Sequence, residues 1–493
     1  MLRIDSTPVS AATTSDPFDV YALPTDGLAD RLTALFGESV ARSAASARFT
    51  GKPGSRFAFA QSVRGGEGLR QVLLLGAGPG LKAAESLQKV AFDGARTAIE
   101  LGVAELRLHV GDAIPEPTPE ALSFLAQGLE LGTYRYATYL SGERSRPASL
   151  EAATIIGLDA DPEAISRGQK IAAAIARARD LVNGPPALVT PTYLAETATA
   201  IAKAHPTVVA TVLEREDCER LGMGCFLAVA RGSAEPPKFI DLHYRPASKA
   251  KGKICLIGKG VTFDSGGLSL KPSAGMFGMK MDMAGAAAVL GALEGAASLE
   301  LPWEIHAIVA AAENMPGRDA YRLGDVLRAS NGKTVEIDNT DAEGRLTLAD
   351  ALTYAGGLEP DFIIDLATLT GACIIALGPH IAGVMGHDDG LVDAWLAAST
   401  RAGESMWRLP LPEALKEQLK SPIADMRNTG DRPGGAITAG LFLSEFTEGQ
   451  RWIHVDIAGP GMVKKPYGVT DEGGSGFGVA TILELLRGDI ANS

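Results

Sequence analysis

At 493 residues the chain is longer than one hydrophobic core usually serves, so two domains are expected. Hydrophobic residues at 46% and charged residues at 21% exclude a disordered or fibrous polymer. A formal net charge of −13 argues against nucleic acid as a partner, because a phosphate-binding surface is basic. No run of about 18 apolar residues is present, the best stretches being broken by Gly, Asp or Lys, so no membrane span is expected. Residues 1–17 are polar and rich in Ser and Thr, without the basic start and apolar middle of a secretory signal. Cys218, Cys225, Cys255 and Cys373 have no CxxC spacing and lie in apolar surroundings. They read as buried thiols of a reducing cytoplasm rather than disulfides or a zinc knuckle.

In chain order, Gln71–Leu75 and Glu105–Val110 read as buried strands, and Leu81–Leu101 between them as an amphipathic helix. This is an α/β unit with a partly parallel sheet. Gly76-Ala-Gly78-Pro-Gly80 has Leu81 where a dinucleotide fingerprint needs its third Gly, so it reads as a plain strand-to-helix turn. A helix over Glu163–Val182 ends at Asn183-Gly-Pro-Pro186, because residues before Pro avoid helical angles. It is expected to connect two domains. The predicted division is an N-terminal α/β domain over 1–165, a connecting helix and linker over 166–186, and a catalytic domain over 187–493. A helix follows over Thr192–His205, then a strand over Lys253–Gly258 and an Ala/Gly-rich helix over Ala284–Ala297. Glu304–Ala311 is a strand, Arg345–Tyr354 a helix and Asp361–Leu366 a buried strand. The larger domain is thus expected to be α/β, with a central mixed sheet flanked by helices.

Chemistry concentrates between Lys259 and Arg345. Lys259, Asp264, Lys271, Asp282, Asp341, Glu343 and Arg345 stand among Gly and apolar residues, where charges are costly unless paired or bound to metal. The seven histidines show no H-E-x-x-H pair and read as structural or surface groups. There is no G-x-S-x-G elbow, and Ser265 has no His near it in sequence. Asp341 and Glu343 are two apart, so on an extended segment they share a face, and Arg345 continues it. Asp282 alone is a fair helix cap; only its company suggests a ligand. Four carboxylates from separate segments suit a site for two divalent ions, and oxygen ligands do not choose among Mg2+, Mn2+ and Zn2+.

The segments Gly258-Lys-Gly-Val-Thr-Phe-Asp-Ser-Gly-Gly267, Met281-Asp-Met-Ala-Gly-Ala-Ala287, Asn339-Thr-Asp-Ala-Glu-Gly-Arg-Leu346 and Leu366-Ala-Thr-Leu-Thr-Gly371 resemble the leucyl aminopeptidase family of dinuclear-zinc exopeptidases. Asn339–Leu346 matches the family's signature octapeptide without a departure, and the resemblance spans about residues 165–490. It implies that Asp264 and Glu343 bridge two metals, that Lys259 and Asp282 complete one site, and that Asp341 completes the other. The metals would be Zn2+ or Mn2+, with Mg2+ a candidate for one site. It further implies that Lys271 polarises the scissile carbonyl and that Arg345 holds a bicarbonate serving as general base. Met279, Thr368 and Gly371 would line the substrate pocket. The implied protein is a cytoplasmic homohexamer that removes N-terminal residues, Leu and other apolar ones, from short peptides. A member of the family recruited as a binding or assembly protein is the alternative.

Overall fold

The computed structural model describes residues 1–8, 18–62 and 69–488, so most of the polar stretch before Phe18 lies outside the described residues. The chain divides into two units, Met1–Ala173 and Ala174–Ser493, within the long helix Pro162–Asn183.

The first unit carries β1 (Arg3–Thr7), β2 (Phe18–Leu23), β3 (Arg56–Ser62), β4 (Leu69–Gly76), β5 (Glu105–His109) and β6 (Ala152–Ile156), ordered β1-β6-β5-β2-β4-β3. All neighbours are parallel except the β3–β4 hairpin. Helix Ala84–Glu100 buries Leu87, Val90, Ala91, Ala95 and Ala98, a stripe at helical spacing. Helix Pro119–Thr133 opens with Pro at its first position, and the Thr118 side chain accepts from the Ala121 N–H. Both features satisfy or remove donors that a helix start leaves unpaired.

The second unit is built on eight strands: β7 (Val208–Leu213), β8 (Lys238–Tyr244), β9 (Lys253–Asp264), β10 (Glu304–Asn314) and, after the short β11 (Val326–Arg328) and β12 (Thr334–Glu336), β13 (Phe362–Ala367), β14 (Ala382–Gly386) and β15 (Met406–Arg408). After β16 (Met426–Arg427), β17 (Trp452–Asp456) completes it. The order is β15-β14-β17-β13-β9-β10-β8-β7, and β11, β12 and β16 form a separate small sheet. The four central strands β17, β13, β9 and β10 run parallel, so their carboxyl ends lie along one edge. The outer strands pair antiparallel with them, which makes the sheet mixed. Parallel strands covered on both faces are apolar almost throughout, and β9 is buried at nearly every position.

Helix Ala284–Ser298 covers one face at β9 and β13, and helix Gly344–Gly356 covers the other at β9 and β10. The first is long and apolar enough, with its preceding turns, to cross a membrane by composition alone. Yet it is mostly buried inside the protein, as in a core helix. A Cβ at Gly285 would stand 2.0 Å from the Leu366 carbonyl oxygen. Only Gly permits that approach, and it draws the turn carrying Asp282 against the end of β13.

Candidate metal centre

β9 brings Lys259 into the interior and ends on Asp264. The chain then turns at Gly266 and Gly267, both at positive φ (87° and 61°), and returns with Lys271. Asp282 sits in the one-turn 3-10 helix Met279–Met283, and Glu343 immediately precedes helix Gly344–Gly356. These segments converge. The Lys259 Nζ lies 2.8 Å from Asp282 Oδ2 and 2.8 Å from Glu343 Oε1, and donates to the Thr368 carbonyl at 3.1 Å. The Lys271 ammonium is 2.8 Å from Asp264 Oδ2 and also contacts Asp341 Oδ1. One carboxylate oxygen from each of Asp264, Asp341 and Glu343 lies within 4.8 Å of the other two, a spacing that can hold a metal ion.

Lys259, Asp264, Asp282 and Glu343 are 1–5% exposed, so water does little to screen them. Burial pushes the Asp282 carboxyl well above its ordinary pKa, against the pull of Lys259, with Glu343 and Asp264 adding repulsion. Burial likewise raises Asp264, with Glu343 adding to it while Lys271 and Lys259 oppose. Desolvation works against the Lys259 ammonium, but Asp282, Glu343 and Asp264 outweigh it and raise its pKa. Four carboxylates thus face two ammonium groups, and the negative excess calls for further cations. Glu343 Oε2 is buried without any hydrogen-bond partner, an acceptor aimed at nothing in the polypeptide. On these grounds the residues fit a centre of divalent ions.

Apart from Thr368, named for the substrate pocket, the supporting residues were not singled out in the sequence. Asn314, last residue of β10 and paired in register with Asp264, donates through Nδ2 to Asp264 Oδ1 and to the Thr340 carbonyl, both at 2.9 Å. Thr340 laces the two loops together: its hydroxyl donates to the Gly266 carbonyl and accepts from the Ser269 N–H, each at 2.7 Å. Tyr321 donates to the Thr340 carbonyl at 2.9 Å. Thr368 Oγ1 donates to Asp282 Oδ1 at 2.8 Å. The chain after Thr368 is in turn held from β17, where Asp456 accepts from the Leu369 N–H at 3.2 Å and the Thr370 hydroxyl at 2.7 Å. A polar residue closing an apolar strand is the signal that could have pointed to Asn314 and Asp456.

One local expectation is corrected. Asp341, Glu343 and Arg345 do not share an extended segment. The Asn339 side chain accepts from the Asp341 N–H at 2.9 Å and turns the chain, and Arg345 lies in the first turn of the helix. Asp282 caps no helix: the helix beginning at Ala284 has no side-chain cap, because the carboxylate faces Lys259 and Thr368. Among the described residues Arg345 forms no ion pair, although the charge of Glu343 acts on it. It donates through NH1 to the Asn428 carbonyl at 2.7 Å and lies over the Phe442 ring at 6.0 Å, while its buried Nε has no partner. Burial lowers its pKa to about 10, so it stays charged at neutral pH. Met279 is half-buried in the turn that carries Asp282, and Gly371 is exposed at the start of helix Gly371–Leu377.

The backbone at Gly344 is part of this geometry. A Cβ there would stand 2.5 Å from Lys259 Cε and 2.7 Å from its Nζ. Lys259 is pinned between two carboxylates and cannot swing away freely. Gly344→Ala is therefore expected to weaken metal binding and turnover while the protein stays folded. Unchanged metal affinity, measured by titration calorimetry, would show that the side chain can give way.

Comparisons with known proteins identify the family. The catalytic-domain description of the cytosol aminopeptidase family matches residues 176–483, and its N-terminal-domain description matches residues 22–143. A probable cytosol aminopeptidase of Gloeobacter violaceus is 46% identical over 452 residues, covering 88% of this chain and 89% of that one. One of Syntrophotalea carbinolica is 44% identical over 465 residues, covering 92% of each. A mutant of tomato leucine aminopeptidase superposes with a TM-score of 0.88 at 34% identity, covering 99% of this chain and 96% of that one. The bottromycin maturation enzyme BotP in complex with Mn superposes at 0.85 with 37% identity, over 96% and 99%. With both domains matched and relatives near half identity along the length, the chain belongs to the cytosol, or leucyl, aminopeptidase family and is a metal-dependent aminopeptidase.

Proposed function

We propose that the chain is a dinuclear metal exopeptidase that frees N-terminal residues, Leu and other apolar ones foremost, from short peptides. The observation carrying this reading is the convergence of Asp264, Asp341 and Glu343 oxygens within 4.8 Å beside the partnerless Glu343 Oε2. Asp264 and Glu343 would bridge the two positions, Lys259 and Asp282 would complete one, and Asp341 the other. Two divalent ions held there, Zn2+ or Mn2+ with Mg2+ a candidate for one position, would supply Lewis acidity and a water activated near neutral pH. To act as a ligand Lys259 must release its ammonium proton, so loading is coupled to proton release.

The remaining chemistry falls to the protein's own groups. Lys271 keeps a donor pair on Asp264 and Asp341 and would direct a further N–H at the scissile carbonyl oxygen, opposing its growing negative charge. Arg345, buried and charged with an unpaired Nε, suits a small planar anion and would hold a bicarbonate, which would supply a general base to the site. Met279, Thr368 and Gly371 would border the pocket for the first side chain, with Thr368 also steadying Asp282. The family resemblance supports a cytoplasmic homohexamer.

The test is hydrolysis of Leu-p-nitroanilide after chelation and after restoring Zn2+, Mn2+ or Mg2+ singly. Activity is expected to vanish with the chelator and return with one or more of the ions. Folded, metal-loaded protein that hydrolyses no aminoacyl substrate would overturn the reading.

A further inference from the structure

Among the described residues, two groups of three His, Cys, Asp or Glu side chains bring ligand atoms within 4.8 Å of one another. One is the carboxylate group above. The other is His243, Glu304 and His306, which no part of the peptidase chemistry uses. It lies toward the opposite end of β10 from Asn314, about 26–33 Å away at ~3.3 Å per strand residue.

Sheet register builds this group. His306 on β10 stands directly opposite His243 on the antiparallel β8. Glu304, two residues earlier on β10, shares the face of His306 because side chains alternate along a strand. The two imidazoles stack with centroids 3.9 Å apart at 17°, and His243 Nε2 is 2.9 Å from Glu304 Oε1. The side chains are 15%, 27% and 8% exposed for His243, Glu304 and His306, enclosed yet reachable from solvent.

His306 is already oriented by a carboxylate and a tyrosine. His306 Nδ1 pairs with Asp241 Oδ1 at 2.9 Å, and the Tyr354 hydroxyl donates to Asp241 Oδ2 at 3.1 Å. A carboxylate on one ring nitrogen fixes the tautomer and leaves Nε2 as the nitrogen for a metal, the arrangement that metal-ligating histidines characteristically show. Arg245 competes for Glu304, its Nε 3.9 Å from Oε1, but its side chain is 74% exposed and free to withdraw, and Lys253, beside Glu304 on β9, donates its ammonium to the Leu358 carbonyl at 2.7 Å.

We propose that His243, Glu304 and His306 bind one divalent late first-row transition ion, Zn2+ foremost, separate from the carboxylate centre, with water completing the coordination. Two imidazoles and one carboxylate favour such ions over Mg2+ or Ca2+. The alternative is an imidazole–carboxylate cluster that only ties β8 to β10, and it predicts no bound ion.

The full-length protein is equilibrated with Zn2+ at neutral pH, freed of loose metal, and its bound zinc counted per chain by mass spectrometry. Glu304→Gln and His243→Ala are treated identically, with melting temperature and Leu-p-nitroanilide hydrolysis measured on each. Each variant is expected to carry one zinc fewer than the parent while keeping its fold and aminopeptidase activity. Because the readout is a difference, it holds whatever number of ions the carboxylate centre takes. Equal zinc in the parent and in both folded variants overturns the proposal.

Discussion

Glu343→Ala is expected to abolish both metal retention and aminopeptidase turnover while leaving the protein folded. Glu343 meets Lys259 through one oxygen at 2.8 Å, and its other oxygen has no partner within the polypeptide. Removing the carboxylate deletes the group that faces both proposed ion positions. Loss of a mere supporting residue around a metal costs about 10–100-fold in affinity or activity, so loss of a shared ligand should exceed that. The fold should survive, because Lys259 keeps Asp282 at 2.8 Å and the Thr368 carbonyl at 3.1 Å. Metal content, thermal melting and Leu-p-nitroanilide turnover measured on one preparation check this. A variant that keeps its ions and its rate would remove Glu343 from the centre.

Lys271→Ala should separate binding from catalysis. Its ammonium lies between Asp264 and Asp341, and burial alone would lower its pKa, but those two carboxylates raise it. Deleting the ammonium leaves the buried Asp264 and the half-buried Asp341 less compensated, which strengthens their demand for cations, so metal should stay bound. What disappears is the donor proposed for the carbonyl oxygen. The cost of one such donor is roughly 10²–10³-fold in kcat, or about 2.7–4 kcal/mol. KM should change far less than kcat, since the interaction grows only as charge develops. Lys271→Arg restores charge but not the compact ammonium, and should recover little. Wild-type kcat in Lys271→Ala would assign the residue to charge balance alone.

How far the sequence revealed this centre depended on whether each residue's partner lay nearby in the chain. The ligand-bearing segments were visible because charges surrounded by Gly and apolar residues need an explanation. The α/β alternation and most strands and helices followed from periodicity. Strand β9, however, reads as ending at Gly258, because Lys259 breaks the apolar run. It continues to Asp264 because β10 pairs with it along this stretch, and because the buried lysine is neutralised by Asp282 and Glu343. Asp282 taken alone looked like a helix cap for the same reason: its partners, Lys259 and Thr368, are distant in sequence. The kink before Glu343 is made by the Asn339 side chain, a local choice that competes with extension and leaves no periodic trace. The His243–His306 pair was invisible, since only strand register sets two histidines face to face.

The position of β17 has a consequence for the birth of the enzyme. This strand lies between β14 and β13, although it is made from residues 452–456 near the end of the chain, and its Asp456 steadies the segment after Thr368. A chain emerging from the ribosome has therefore exposed its own N-terminus, and those of any neighbouring nascent chains, well before its catalytic edge can close. The topology delays closure of the catalytic edge until residues 452–456 have been made.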